Sequence, residues 1–198
     1  MGEKGTNELV GLCKEMYMQG VWPEDFTKVI MIPLQKKANA VECGDHRTIS
    51  LISHASKILL KVLTRRIEAK TKDFIGRNQF GFRRGCGTRD AIGVMRVLCE
   101  RSMEFGNDVY VCFVDFEKAF DRVNWVKMME VLKSLDVDWR DRRMIYQLYI
   151  KQEAVIRIAD GDSEPGIIGR GVRQGCNPLS SATFNLCRDD DGLNVGRC

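Results

Sequence analysis

The chain has 198 residues, 44% of them hydrophobic and 29% charged, with 31 Lys and Arg against 27 Asp and Glu for a net charge of +4. That length can bury a sizeable core in one domain, and the small basic excess is compatible with a phosphate-rich partner without requiring one. No apolar run is long enough to cross a bilayer and no secretory leader core opens the sequence, which argues against membrane and secreted classes. The eight cysteines (Cys13, Cys43, Cys86, Cys99, Cys112, Cys176, Cys187 and Cys198) are scattered without Cys-x-x-Cys spacing, and neither His46 nor His54 has a cysteine at zinc-ligand distance. Reduced thiols in an intracellular protein are expected.

In chain order, residues 6–19 read as a helix that stops at Gly20, with Pro23 blocking its continuation. Residues 26–34 are β-branched and apolar, a strand that runs into Gln35-Lys36-Lys37, and residues 47–52 form a second short strand. Ser53 is a good N-cap for the clearest helix of the sequence. There Ala55, Ile58, Leu59, Val62, Leu63 and Ile67 recur at helical spacing as one apolar face. Lys57, Lys61 and Arg65 recur every four residues on another, extended by Arg66, Lys70 and Lys72 and opposed only by Glu68 and Asp73. Such a stripe reads either as a solvated face or as a track for a nucleic-acid backbone.

A Gly- and Arg-rich loop over 76–87 leads to Thr88, read as the cap of a helix through about residue 105 with Ile92, Met95 and Leu98 toward the core. Next comes Val109-Tyr110-Val111-Cys112-Phe113-Val114-Asp115, an apolar run that ends in a carboxylate and reads as a fully buried strand with Asp115 at its exit. Val123, Val126, Met129 and Leu132 then mark an amphipathic helix for which Asp121 is the expected cap, and helix continues over 146–150. Residues 154–159 alternate like a strand, Asp160-Gly161 is a hairpin signal, and the returning strand is expected over 166–172.

Two segments carry chemistry. A carboxylate held at a strand end suits Mg²⁺, which takes one or two carboxylates plus substrate phosphates. The second segment is Gly171-Val172-Arg173-Gln174-Gly175-Cys176-Asn177-Pro178-Leu179-Ser180, where glycine lets backbone approach a ligand closely. Together with Asp115-Phe116-Glu117-Lys118-Ala119-Phe120-Asp121, Asp45-His46-Arg47-Thr48-Ile49-Ser50-Leu51, Gln79-Phe80-Gly81-Phe82-Arg83 and Gly87-Thr88-Arg89-Asp90-Ala91, it resembles the reverse transcriptase of non-LTR (LINE-like) retrotransposons. The motifs stand in the family's order from Trp22 to about Leu186.

The resemblance implies an α+β fold, the fingers and partial palm of a right-hand polymerase. Residues 1–108 would hold the fingers-like region and residues 109–198 the incomplete palm. It implies RNA-directed DNA synthesis from dNTPs on an RNA template and a DNA primer, by two-metal nucleotidyl transfer with Mg²⁺. By the same resemblance Asp115 is the catalytic metal-binding carboxylate, and the Phe116 carbonyl is a second metal ligand. Lys36, Lys37 and Arg47 bind the triphosphate, a role that suits a guanidinium. Phe120 lies beneath the nucleotide sugar, where a ring disfavours a 2′-hydroxyl, although its periodicity alone would place it in the core. Gln174 and Gly175 line the nucleotide and template pocket, and Arg83, with Lys57, Lys61 and Arg65, faces nucleic acid. Asp121, six residues past Asp115, is not expected to share its metal, because helical geometry turns it away by roughly 240°.

The sequence also departs from the family. Thr48 replaces the usual proline, Asn177-Pro178 inserts one residue, and Ser181 stands where proline is expected. The tyrosine-x-aspartate-aspartate hairpin is absent, and Asp189-Asp190-Asp191 reads as a solvated tail rather than its replacement. The implied protein is a fragment or decayed copy of the enzyme without a thumb, and the alternative is a non-catalytic nucleic-acid-binding remnant.

Overall fold

The structure, a computed structural model, describes residues 2–71, 74, 76–81, 83, 85–115, 119–158 and 161–172. Helix α1 (Glu3–Gln19) ends where expected, because Gly20 adopts the left-handed conformation (φ 68°) and returns its N–H to the Met16 carbonyl. The short α2 (Glu24–Thr27) starts behind Pro23 and feeds β1 (Lys28–Gln35), which turns back into β2 (His46–Leu51). Helices α3 (His54–Thr71), α4 (Thr88–Phe105), α5 (Trp125–Ser134) and α6 (Trp139–Ile150) follow, then β3 (Glu153–Ile158) and the two-residue strands β4 (Gly161–Asp162) and β5 (Gly166–Ile167).

The sheet runs β2-β1-β3-β4, with β5 also on β3. β1 and β2 are antiparallel, with Leu34 opposite Arg47 and Ile30 opposite Leu51. β1 and β3 are parallel, with Val29 beside Ala154. A parallel pair cannot be closed by a tight turn, so the chain between β1 and β3 is free to build the helical layer. That layer holds the core: Met16 of α1, Leu59, Leu60, Leu63 and Ile67 of α3, Met128 and Leu132 of α5, and Met144, Ile145, Leu148 and Tyr149 of α6 pack with Trp22, Val123, Leu135 and Val137. Each fully buried side chain of this size stabilises the fold by about 1.5–3 kcal/mol before the entropy of ordering it is subtracted.

One buried polar node ties three helices of this core. Asp141, only 3% exposed, takes Oδ1 hydrogen bonds from the Tyr17 hydroxyl (2.8 Å) and from Arg66 Nη1 (2.9 Å). Arg66 also donates to the Tyr17 oxygen at 2.9 Å and lies 5.0 Å from its ring centroid. Nearby, the Trp22 indole N–H donates to the Met144 carbonyl at 2.7 Å, and Arg143 Nη2 donates to the Gln19 carbonyl at 2.8 Å. The α1 end is therefore fastened to α6 at three places.

Several sequence expectations change in the structure. Residues 109–115 do not form a strand: Tyr110 is 92% and Phe113 88% exposed. No strand among the described residues pairs with this run, and extended backbone without a ladder partner leaves its amides to water. On α3, Ile58 and Val62 are exposed while Leu60 and Ser56 are buried, so the packed face is rotated from the one the apolar spacing suggested. No residue of α4 is buried, and Ile92 and Leu98 stand in the open. Its cap is Gly87, whose N–H is taken by Asp90 Oδ2 at 2.7 Å, rather than Thr88. On α5, Met128 takes the core position and Val126 is exposed. The returning strand pairs only over Gly166–Ile167. The Asp160 turn position, Lys72 and Asp189-Asp190-Asp191 lie outside the described residues. The five described cysteines are unpaired, and no helix among the described residues is long and apolar enough to cross a membrane.

Burial first, and then the hydrogen bond to Asp141 and its charge, raise the Tyr17 hydroxyl above its ordinary value of 10.0. The unfolded chain therefore loses this proton before the folded one does. Its contribution is complete below pH about 10 and is lost as pH climbs from there through the folded value. Comparing urea midpoints of the wild type and Tyr17→Phe at pH about 8 and about 11 should show the wild-type advantage shrinking as pH rises. An advantage that is constant or grows would contradict this account.

Candidate nucleotide and nucleic-acid site

At the β1–β2 turn the structure gathers three of the expected nucleotide-binding cations. The Lys36 N–H donates to the Asp45 carbonyl (2.9 Å) and its Nζ to the Gly44 carbonyl (3.0 Å), while Lys37 Nζ forms a 2.8 Å ion pair with Asp45. That hydrogen bond from Lys37, helped by backbone donors, lowers the Asp45 carboxyl below its ordinary value. His46 Nδ1 is 3.0 Å from the Glu42 carbonyl. Arg47 is exposed and makes no ion pair among the described residues. Opposite residues of an antiparallel ladder share a face, so Arg47 stands with Leu34, and Ile32 and Ile49 continue that face. Two lysines are thus engaged in holding the turn, and the guanidinium beside them is available to an anion.

The central motif is built differently from expectation. Asp115 is exposed, ends the irregular 109–115 run, and makes no hydrogen bond or ion pair among the described residues. Residues 119–122 form one 3₁₀ turn containing Phe120, which is 39% exposed, and Asp121. Asp121 is not the helix cap. Asn124 is, its Oδ1 accepting the N–H groups of Val126 (2.9 Å) and Lys127 (3.3 Å). The 3₁₀ turn and its exit clasp the start of the second motif: Val172 N–H donates to the Phe120 carbonyl (2.9 Å), Gly171 N–H to the Val123 carbonyl (2.9 Å), and the Trp125 indole N–H to the Gly171 carbonyl (2.7 Å). Phe116, Gln174 and Gly175 lie outside the described residues.

Along α3 the basic stripe divides into two sets. Lys57, Lys61 and Arg65 are exposed and make no ion pair among the described residues. Arg66 is engaged by Asp141, and Lys70 by Asp136 at 3.2 Å. Arg83 folds inward on its own loop, with Nη1 donating to the carbonyls of Gly76 (3.4 Å) and Arg77 (3.2 Å). Among the described residues no three His, Cys, Asp or Glu side chains come together as a metal site. The chemistry of Asp115 suits one ligand position for Mg²⁺, and the described residues do not complete a two-metal site around it.

The sequence reading missed both connecting devices. Asp141 had a visible signal: it stands at i, with Met144, Ile145, Leu148 and Tyr149 at i+3, i+4, i+7 and i+8, a carboxylate on the apolar stripe of its own helix. Trp125 and Gly171 had none, because their bond joins positions 46 residues apart.

These motifs and this mixed helix-and-sheet fold coincide with a family. The family model for reverse transcriptase (RNA-dependent DNA polymerase) matches residues 34–190, and the chain belongs to that family. Its similarities point further, to non-LTR retrotransposons. It is 27% identical over 172 residues to the transposon TX1 uncharacterized 149 kDa protein of Xenopus laevis, covering 87% of this chain and 13% of that protein. It is 25% identical over 170 residues (83% and 16%) to the retrovirus-related Pol polyprotein from type-1 retrotransposable element R1 of Bradysia coprophila. It is 26% identical over 174 residues (87% and 24%) to the corresponding R2 polyprotein of Popillia japonica. The chain therefore spans between 13% and 24% of the length of these relatives.

The cap assignment is directly measurable. Asn124→Ala should cost about 1 kcal/mol in urea unfolding, the usual worth of such a cap, and Asp121→Ala should cost clearly less. The reverse order of losses would restore Asp121 as the cap.

Proposed function

We propose that this chain is the fingers-like region (1–108) and partial palm (109–198) of an RNA-directed DNA polymerase. It would act on an RNA template, a DNA primer and dNTPs. The observation that carries the reading is the family match over 34–190, a range that encloses Arg47, Asp115, Phe120 and Gln174. Asp115 would supply an anchoring carboxylate for Mg²⁺ and the Phe116 carbonyl a second oxygen. Bound there, Mg²⁺ would neutralise charge on the triphosphate and the attacking 3′ oxygen. The chain's own residues do the remaining work. Arg47, backed by Lys36 and Lys37, holds the triphosphate; Phe120 supports the sugar and excludes a 2′-hydroxyl; Gln174 and Gly175 border the base pair. Lys57, Lys61 and Arg65 track a phosphate backbone, with Arg83 near the template.

A second reading has its own support. The exposed cations of α3 need no catalysis to bind nucleic acid. In that reading the chain is a non-catalytic binding remnant of a retroelement.

Both readings expect the 198-residue chain to leave a primer unextended. A primer-extension assay with RNA template, dNTPs and Mg²⁺ checks this, and template-dependent product that disappears in Asp115→Asn would overturn it. In a polypeptide that also carries the hairpin motif, Asp115→Asn should abolish synthesis under the first reading.

The basic stripe is tested by binding. Replacing Lys57, Lys61 and Arg65 together with Gln should weaken RNA binding and reduce the log–log salt slope by roughly 0.7–0.9 for each phosphate that is no longer neutralised. Unchanged affinity and slope would make the stripe an ordinary solvated face.

A further inference from the structure

The clasp between the two motifs does more than close a loop. Gly171 has φ +91°, and a Cβ there would sit 2.9 Å from the Asp121 carbonyl oxygen, 3.1 Å from its Cα and 3.2 Å from its carbonyl carbon. All three are backbone atoms, so no side chain can swing aside to make room; glycine is what lets the two segments touch. On the far side the Trp125 indole holds the Gly171 carbonyl. That indole is braced by its ring contact with Tyr149 (5.6 Å between centroids), a residue 1% exposed. Val123, which accepts the Gly171 N–H, is itself buried. The clasp is therefore anchored in the core, while its other end reaches the Phe120 carbonyl through Val172 N–H.

Phe120 sits in a single 3₁₀ turn, a geometry with poor internal hydrogen bonding. Its side chain can occupy only a few staggered rotamers set by the backbone, so a bond that fixes the Phe120 carbonyl narrows the directions in which the ring can point. Three peptide units, with a reach of about 11 Å when extended, separate Gly171 from Gln174. We propose that Trp125 and Gly171 are positioning residues for sugar selection, setting the orientation of the Phe120 ring against the nucleotide sugar and tying it to the segment that leads into Gln174 and Gly175. This rests on the reading of Phe120 as the sugar-facing ring.

The test uses the 198-residue chain with Mg²⁺ and an RNA template annealed to a DNA primer. Equilibrium affinity is measured for a matched dNTP and the corresponding rNTP. Wild type should prefer the dNTP, Phe120→Ala should erase that preference, and Trp125→Phe, which keeps a ring but removes the donor, should reduce it about threefold to tenfold, the scale of one hydrogen bond. Gly171→Ala should act in the same direction with a larger loss of stability. A Trp125→Phe protein that retains the full wild-type preference overturns the inference and leaves the Phe120 reading intact. A wild type with no preference, unchanged in Phe120→Ala, removes the sugar reading and the inference with it. Amide hydrogen exchange gives a readout that needs no nucleotide. Trp125→Phe should speed exchange at Gly171 and Val172 but not along α6, whereas equal acceleration throughout the core would reduce the clasp to general packing.

Discussion

Asp141 is a carboxylate set into the apolar stripe of α6, and the helical layer is organised around satisfying it. A buried charge without partners is costly enough that proteins pair or neutralise it. Here the pairing recruits Tyr17 from α1 and Arg66 from α3, so three elements far apart in sequence meet at one oxygen. Arg66 is about half exposed and Asp141 almost wholly buried, which makes the node unequal. Removing the arginine would leave the buried carboxylate with the Tyr17 hydroxyl but no cation, while removing the carboxylate would leave an arginine that can turn to water. The same node withdraws Arg66 from the basic face of α3 and leaves Lys57, Lys61 and Arg65 as its free cations among the described residues.

Around this layer the sheet does a different job. β1 lies between its two partners, parallel to β3 and antiparallel to β2, and the β1–β2 turn is held by Lys36, Lys37 and Asp45. The lysines serve two ends. Residues expected to meet phosphate are also the ones closing the turn, and the triphosphate reading would require them to exchange an internal partner for a substrate one. Arg47 needs no such exchange.

Among the described residues, the segments around Phe120 and Gly171 are joined by backbone hydrogen bonds, from Val172 to Phe120 and from Gly171 to Val123. The segment before Asp115 is irregular and open, and α4 presents Ile92, Val97 and Leu98 without cover among the described residues. The 3₁₀ turn behind Asp115, by contrast, takes the Val172 N–H at the Phe120 carbonyl, and Val123 just past it takes the Gly171 N–H. Hydrogen-bonded order among the described residues of this motif therefore begins at Phe120 and not at Asp115.

Local chemistry sufficed for the extents of most elements. Gly20 and Pro23 end α1 because one tolerates positive φ and the other cannot continue a helix, and the apolar runs of β1, β2 and β3 occur within a residue or two of expectation. The motif order was equally legible, since it is a property of the chain and not of its folding. What periodicity could not supply was cover. An apolar face has a buried side only where another element packs on it, and this decided Leu60 over Ile58 and Val62 on α3, Met128 over Val126 on α5, and nothing at all on α4. Residues 109–115 failed as a strand for the related reason that a strand is made by its neighbour's hydrogen bonds. The sequence by itself determined the family, the order of most elements and the candidate chemistry. Tertiary structure alone decided which cations remain free, which asparagine caps α5, and that Trp125 and Gly171 meet, because each depends on partners that sequence spacing does not record.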